Sequence, residues 1–355
     1  MKTNSLKVYG LALFWIGRLA AADSGFGGWQ WITQWDNDLL TGTDEGYTNG
    51  ARIALARELP GDSREHYFLE RTLRRLSGAE GGGGLRQLRF PEAAASRFQY
   101  GMGLTQLMFT PDDPSDLTPP EGARPYAGWL GLEFSLQASA EDTANTVTLS
   151  IGTTGELSFA EEAQEWVHRE ISDSPIFQGW DSQAPGELTL NLHLDHKRRL
   201  SFLDGGSMGA IEADGFLEWG GALGNFGTNA YVGSHIRVGL NLPDRHVTPR
   251  VQLGSFTETI FGEPRVEPGD LSFYTFGGVR GYGVLHDISL KGPLFRNWAE
   301  SVDLEPWVGE LSFGVAARWK WTEVSLSHTL RSDEFEDQRN RSRYGSVLLR
   351  IGADF

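Results

Sequence analysis

The feature that most restricts this chain is a two-residue rhythm of apolar and polar side chains that returns along most of its length. Leu130, Leu132, Phe134 and Leu136 alternate with Gly131, Glu133, Ser135 and Gln137, and Leu188, Leu190, Leu192 and Leu194 alternate with Thr189, Asn191, His193 and Asp195. Val324, Leu326, His328 and Leu330 alternate with Glu323, Ser325, Ser327 and Thr329. Successive side chains of a strand point to opposite faces, so each run carries one apolar and one polar face. A secreted β-sandwich shares this pattern, but two observations favour a transmembrane antiparallel β-barrel. The runs often reach 9 to 14 residues, as tilted membrane strands require. Their polar faces combine charges with small residues, which suits a wet lumen.

Twelve candidate strands fall near residues 28–37, 47–58, 97–109, 125–138, 146–154, 187–199, 208–222, 228–242, 270–285, 305–318, 320–331 and 344–355. Gly-rich runs within 200–285 allow several registers there. The chain stops on a strand, with Val347, Leu349, Ile351, Ala353 and Phe355 on one face, and a last strand ending on an aromatic resembles the signature of bacterial outer-membrane barrels. An even strand number puts both barrel ends on the periplasmic side, so the loops after the first, third and fifth strands face outward. Residues 60–95 hold a possible helix (Arg64 to Leu76) and the run Gly81–Gly84, read as a periplasmic connection.

Ahead of the barrel, Lys2 and Lys7, an apolar stretch from Val8 to Gly17 and Ala20-Ala21-Ala22 read as a secretory signal over residues 1–22, leaving 23–355 as the barrel domain. Ten helical residues cover about 15 Å, half a bilayer core, so this stretch cannot span. A hydrophobic content of 39% excludes a polytopic helical membrane protein. A net charge of −16 argues against a nucleic-acid partner, and the absence of cysteine removes disulfides and thiolate chemistry. No protein partner is inferred.

The outward loops collect the polar residues that matter. The first carries Asn37-Asp38 and ends in Tyr47-Thr48-Asn49-Gly50; the second runs from Thr110-Pro111 to Arg124-Pro125-Tyr126-Ala127-Gly128. The third reads as a helix from Ser158 to Ile171, with Ser158 as N-cap and Glu161-Glu162 in its first turn. Gln164 and His168 lie four apart on one face of that helix, with Trp166, Phe177 and Trp180 beside them at an acyl-chain or headgroup boundary.

In these ordered motifs the chain resembles the lipid A 3-O-deacylases of Gram-negative outer membranes. The resemblance rests on Asn37-Asp38 with Tyr47-Thr48-Asn49-Gly50, on Gln106 to Thr110-Pro111, on Arg124-Pro125-Tyr126-Ala127-Gly128, on Gln164-x-x-x-His168, and on Trp180-x-x-Gln183-x-x-x-Glu187. It implies a twelve-stranded outer-membrane barrel with its active site at the outward rim, between the wall and a loop helix. It also implies Ca²⁺-dependent hydrolysis of the acyl chains at the 3′ position of lipid A, with lipopolysaccharide as the substrate. His168 matches the family's general base, Asn37, Asp38, Thr48 and Gln164 its active-site polar residues, and Arg124 a basic position. The family places a metal-associated Glu six residues after the His; that offset holds Ser174 here, and a shifted Asp173 could supply the carboxylate.

The chemistry is consistent with these residue types. An imidazole can take a proton from water near neutral pH. A hard cation held by oxygen donors such as Asp38, Asn37 and Asp173 would favour a developing oxyanion. Arg124 would suit a lipid A phosphate or could pair with an acid. Trp180 would line an acyl groove. Other patterns are weaker: Gly205-Gly206-Ser207-Met208-Gly209 fits G-x-S-x-G without a following helix and reads as a turn. His193 and Asp195 read as a lumen hydrogen-bonded pair, with His196 on the opposite face. A phospholipase or protease barrel and a passive porin are the competing functions.

Overall fold

The computed structural model describes residues 29–37, 46–61, 63–64, 66–68, 71, 97–140, 142–172, 174–200, 210–243, 271–320 and 322–352. Twelve strands among them form a meander: β1 (Trp29–Asn37), β2 (Gly46–Glu58), β3 (Arg97–Thr110), β4 (Ala127–Ser139), β5 (Thr143–Thr154), β6 (Leu188–Arg199), β7 (Ile211–Gly224), β8 (Gly227–Leu240), β9 (Leu271–Asp287), β10 (Trp307–Trp319), β11 (Thr322–Arg331) and β12 (Arg343–Gly352). Each pairs antiparallel with its neighbour, and β1 pairs with β12 from Gln30↔Gly352 to Asn37↔Gly345, closing the barrel. Every expected strand is present with its ends shifted by a few residues, including the three in the glycine-rich stretch. The N-terminal segment 1–22, residues 72–96, the run 205–209 and residues 353–355 lie outside the described residues; within 60–95, residues 64, 66–68 and 71 are helical.

Closure leaves no strand edge, and the pleat then sorts every strand into an exterior and a lumen row. Exterior residues such as Trp31, Ile53, Leu104, Leu132, Phe134 and Leu190 are exposed and apolar. The lumen row is buried and polar, and its charges meet across strands. Arg52 pairs with Glu133 at 2.9 Å while its Nε donates to Thr105 at 3.0 Å. Arg280 donates from Nη2 to Glu218 at 2.7 Å, and Lys197 stands 3.6 Å from the same carboxylate. Arg237 Nε donates to Asp214 at 2.8 Å.

The lumen pair expected from His193 and Asp195 does not form. Residues two apart on a strand are separated by roughly 6.5 Å, so each reaches across to another strand instead. His193 Nε2 meets Ser150 at 3.2 Å, and Asp195 accepts from Tyr231. His196 lies on the other face against Trp219, with Nδ1 2.6 Å from Asn145 Oδ1.

One rim, called upper here, carries the connections 111–126, 155–187, 225–226, 288–306 and 332–342. Just inside it, Leu107, Trp129 and Tyr344 of the lumen row, backed by Phe109 and Phe226, pack into an apolar cluster. The loops above are tied to one another: Trp298 Nε1 donates to Ser182 O at 3.1 Å, Glu187 accepts from the backbone of Phe295 at 3.0 Å, and Asn340 donates to Asp112 at 2.7 Å.

A buried charge left without its partner costs several kcal/mol. Arg52→Ala is therefore expected to destabilise the folded barrel by about 3–5 kcal/mol, because Glu133 stays buried without its cation. Denaturant unfolding of the micelle-refolded protein, followed by tryptophan fluorescence, measures this.

Candidate active site

The helix sits on the outside of the wall. Gln106 and Met108 of β3 share the exterior parity of Leu104, and Gly128 of β4 shares that of Leu132. A Cβ added at Gly128 would come within 2.2 Å of Ser158 Oγ and 2.5 Å of Ala160 Cβ, so glycine is what lets the loop lie against the strand. Gln106 Nε2 donates to the carbonyls of Ser158 at 2.7 Å and Phe159 at 3.1 Å.

From that anchor the chain runs through a 3₁₀ turn (Gly155–Ser158) into α1 (Ala160–Val167) and then a π-helical turn (His168–Ser172). The expected Ser158 cap is replaced. Ser158 is spent in the 3₁₀ turn, and Phe159, in the left-handed region at φ 53°, occupies the N-cap position without a side-chain hydrogen bond. Ala160 and Gln164 face the wall and are buried, while Glu161, Glu162 and Trp166 face away. Ala160 joins Met108, Tyr126, Phe177 and Trp180 in one apolar cluster between helix and wall.

His168 ends α1 one turn beyond Gln164 and is buried edge-on to Phe177. Its Nδ1 lies 2.5 Å from the carbonyl of Pro175. A carbonyl can only accept, so Nδ1 carries the proton and Nε2 keeps its lone pair in the neutral ring. The π turn makes this possible: Ser174 N–H closes onto the His168 carbonyl at 3.3 Å and brings Pro175 back over the ring. Turns of this kind are frequent at functional sites. Gln164 Oε1 accepts from Trp180 Nε1 at 2.8 Å, and its buried Nε2 has no partner among the described residues.

On the first two strands, Asn37 has the exterior parity of Trp31 yet is only 2% exposed. It stands opposite Asn49, whose Oδ1 accepts from Trp35 Nε1 at 2.5 Å. The β2–β3 register shifts between Tyr47 and Asn49, making Thr48 the extra residue of a bulge, a device that recurs beside active sites. Asn49 in turn opposes Met108, so Asn37 lies two strands, about 10 Å, from the wall that carries α1. Asp38 and Asp173 lie outside the described residues, as does the Thr48 side chain. Among the described residues no group of three His, Asp or Glu could hold a metal ion. Asn37 and Gln106 both have exterior parity, on β1 and β3.

Two expected substrate contacts are placed elsewhere. Trp180 does not line an open groove: it is 1% exposed, tilted against Tyr126 at 5.4 Å, with its N–H spent on Gln164. Arg124 lies over the lumen side of the rim, 4.7 Å above the Phe109 ring. It donates to Glu334 at 2.7 Å and Ser289 at 3.2 Å, so contact with a phosphate would require breaking a buried pair. Pro175 carried no signal in the sequence, because a backbone carbonyl has none.

Two outcomes follow from these contacts. Burial alone would raise the Glu334 carboxyl, but Arg124, Arg331 and the Ser342 hydroxyl outweigh it and hold the group down at about 2. A depressed carboxylate stabilises the fold above its unfolded value of about 4.5 and stops doing so as pH falls through about 2. Protease resistance of the 288–306 and 332–342 loops should therefore be full at neutral pH and decline below about pH 4.5. Glu334→Gln should make it low and pH-independent. Separately, Gly128→Leu should abolish activity while leaving heat-modifiable barrel migration on gels unchanged, because it unseats α1 without touching the lumen.

The model of one protein family, Outer membrane protein LpxR, matches residues 9–352. Among solved structures, LpxR from Salmonella typhimurium superposes with a TM-score of 0.68 at 15% identity, covering 92% of this chain and 100% of that one. The β-domain of the Bordetella autotransporter BrkA gives 0.42 at 9% identity, covering 92% and 98%. No curated protein matches the chain at the level of sequence. With a family model covering nearly all of it and a closed twelve-stranded barrel carrying its polar helix on the exterior wall, the chain belongs to the LpxR family of outer-membrane proteins.

Proposed function

We propose that this protein is an outer-membrane lipid A deacylase that hydrolyses the acyl ester at the 3′ position, with its upper rim facing outward. The observation that carries the reading is the His168–Gln164 pair on the exterior wall: an imidazole whose Nε2 lone pair is available, one helical turn from an amide whose donors are uncommitted. Both groups stand on the side of the barrel that an amphiphile in the leaflet reaches, not in the lumen. The family membership and the ordered motifs supply the substrate class.

In this mechanism His168 Nε2 removes a proton from water as the oxygen attacks the ester carbonyl carbon. The carbonyl π electrons move onto its oxygen, and the Gln164 amide N–H groups donate to the resulting oxyanion. Collapse of the tetrahedral intermediate breaks the bond to the sugar oxygen, which takes the proton back from the His168 imidazolium. The products are a free fatty acid and a sugar hydroxyl. The Pro175 carbonyl holds the ring in the tautomer that both proton transfers require. Asn37, Asp38, Thr48 and Asp173 would hold Ca²⁺, which supplies positive charge near the reacting carbonyl when bound.

A passive pore is disfavoured by a lumen row that carries buried ion pairs and by a helix that presents His168 and Gln164 on the outer wall. The Ser–His contact that a phospholipase reading would want, Ser150 with His193, lies in that lumen, away from acyl chains.

Mass spectrometry of lipid A after expression in a Gram-negative outer membrane tests the proposal. Wild type should remove the 3′-linked acyl or acyloxyacyl group, His168→Ala should leave it in place, and chelation of calcium in a detergent assay should stop turnover. Intact lipid A with folded wild-type protein would overturn the reading.

A further inference from the structure

Of the residues around the helix, Trp180 has a hydrogen bond that decides something. A glutamine amide can sit in two orientations that differ by exchanging oxygen and nitrogen, and only one of them presents donors to an oxyanion. Trp180 Nε1 carries a hydrogen and no lone pair, so the atom facing it at 2.8 Å must be Gln164 Oε1. The Nε2 end is thereby turned the other way, buried and with no partner among the described residues. We propose that Trp180 is a positioning residue, whose indole N–H holds the Gln164 amide with its donors turned toward the substrate oxyanion. This rests on the deacylase reading above.

The surroundings of Trp180 suit that role. Its short 3₁₀ turn (Trp180–Ser182) is held on both sides: Gln178 N–H donates to Pro114 O at 2.9 Å, and Ala184 N–H donates to Tyr126 O at 2.9 Å. Gly179 lets this segment close onto its neighbours, since a Cβ there would come within 2.3 Å of Asp116 O and 2.4 Å of the Tyr126 ring. Tyr126 is itself fixed. Its hydroxyl donates to Asp116 O at 3.0 Å, and burial, despite an opposing backbone hydrogen bond, pushes the phenol up to about 12 so that it stays protonated. Met108, Phe177 and Ala160 complete the packing around the indole. The position of the N–H is therefore set largely by the barrel wall and the second loop, with Ala160 of α1 packed in the same cluster. Gln164 meets a donor already in place.

That N–H is the donor that fixes the Gln164 oxygen, and the flipped amide would turn a lone pair toward the oxyanion. Trp180→Phe keeps a ring against Tyr126 and removes the donor. It is expected to lower kcat at least about tenfold with KM changed less than about twofold, because the interaction lost is made only in the transition state. Gln164→Leu should lower kcat by about 10²–10³, the usual effect of losing one oxyanion donor.

The decisive variant is the double one. If Trp180 acts through Gln164, Trp180→Phe/Gln164→Leu is no slower than Gln164→Leu alone, whereas a merely structural indole would make the two losses multiply. A second reading needs no turnover: in ¹⁵N-tryptophan-labelled protein in micelles, one slowly exchanging indole N–H should become fast in Gln164→Leu. Wild-type kcat in folded Trp180→Phe, multiplicative losses in the double variant, or unchanged indole exchange in Gln164→Leu would each overturn the inference while leaving deacylation itself intact. Wild-type protein without activity would instead overturn the functional reading on which it rests.

Discussion

Everything in this molecule depends on the pairing of β1 with β12. A membrane offers no water to satisfy backbone amides, so a sheet can cross it only when the last strand returns to the first. That closure fixes the parity of every residue on every strand, because shifting one register by a single position would exchange lumen and exterior along its length. The burial of Arg52, Glu133 and Glu218 and the exposure of Ile53, Leu132 and Phe134 are two readings of the same constraint. So is the placement of Gln106, Met108 and Gly128 on the outside, where α1 is seated.

The upper rim separates two kinds of chemistry. Over the lumen, Arg124, Glu334 and Ser289 join three loops through charge-assisted hydrogen bonds in a buried setting. These contacts tie the three loops into a common scaffold. On the exterior, α1 is held by a glutamine, a glycine contact and an apolar cluster, with its outer face exposed. His168 and Gln164 lie on the wall side of that helix, so on the deacylase reading proposed above an ester would reach them from the leaflet.

The strands were legible because alternation is a property of the chain that closure merely organises; even in the Gly-rich stretch, β7 and β8 form as strands of 14 residues each. The helix was legible from Gln164 and His168 at a spacing of four. Its start was not, because Ser158 is a favourable cap by type, while the actual boundary depends on Phe159 turning into the left-handed region against β4. Trp180 has a side chain suited to lipid contact, and for Arg124 the sequence left a lipid phosphate and an acidic partner as alternatives. The fold buries both and commits their donors to Gln164 and Glu334, partners 16 and 210 residues away.

By itself the sequence determined a membrane barrel of about twelve strands, the order of its loops and the residue types available for ester hydrolysis, since period, turn chemistry and motif order are local. Only the tertiary structure decided which nitrogen of His168 bears the proton, which way the Gln164 amide points, and on which side of the wall they stand. Those depend on a carbonyl at Pro175, an indole at Trp180 and the parity set by closure. None of the three is a property of the residue whose state it controls.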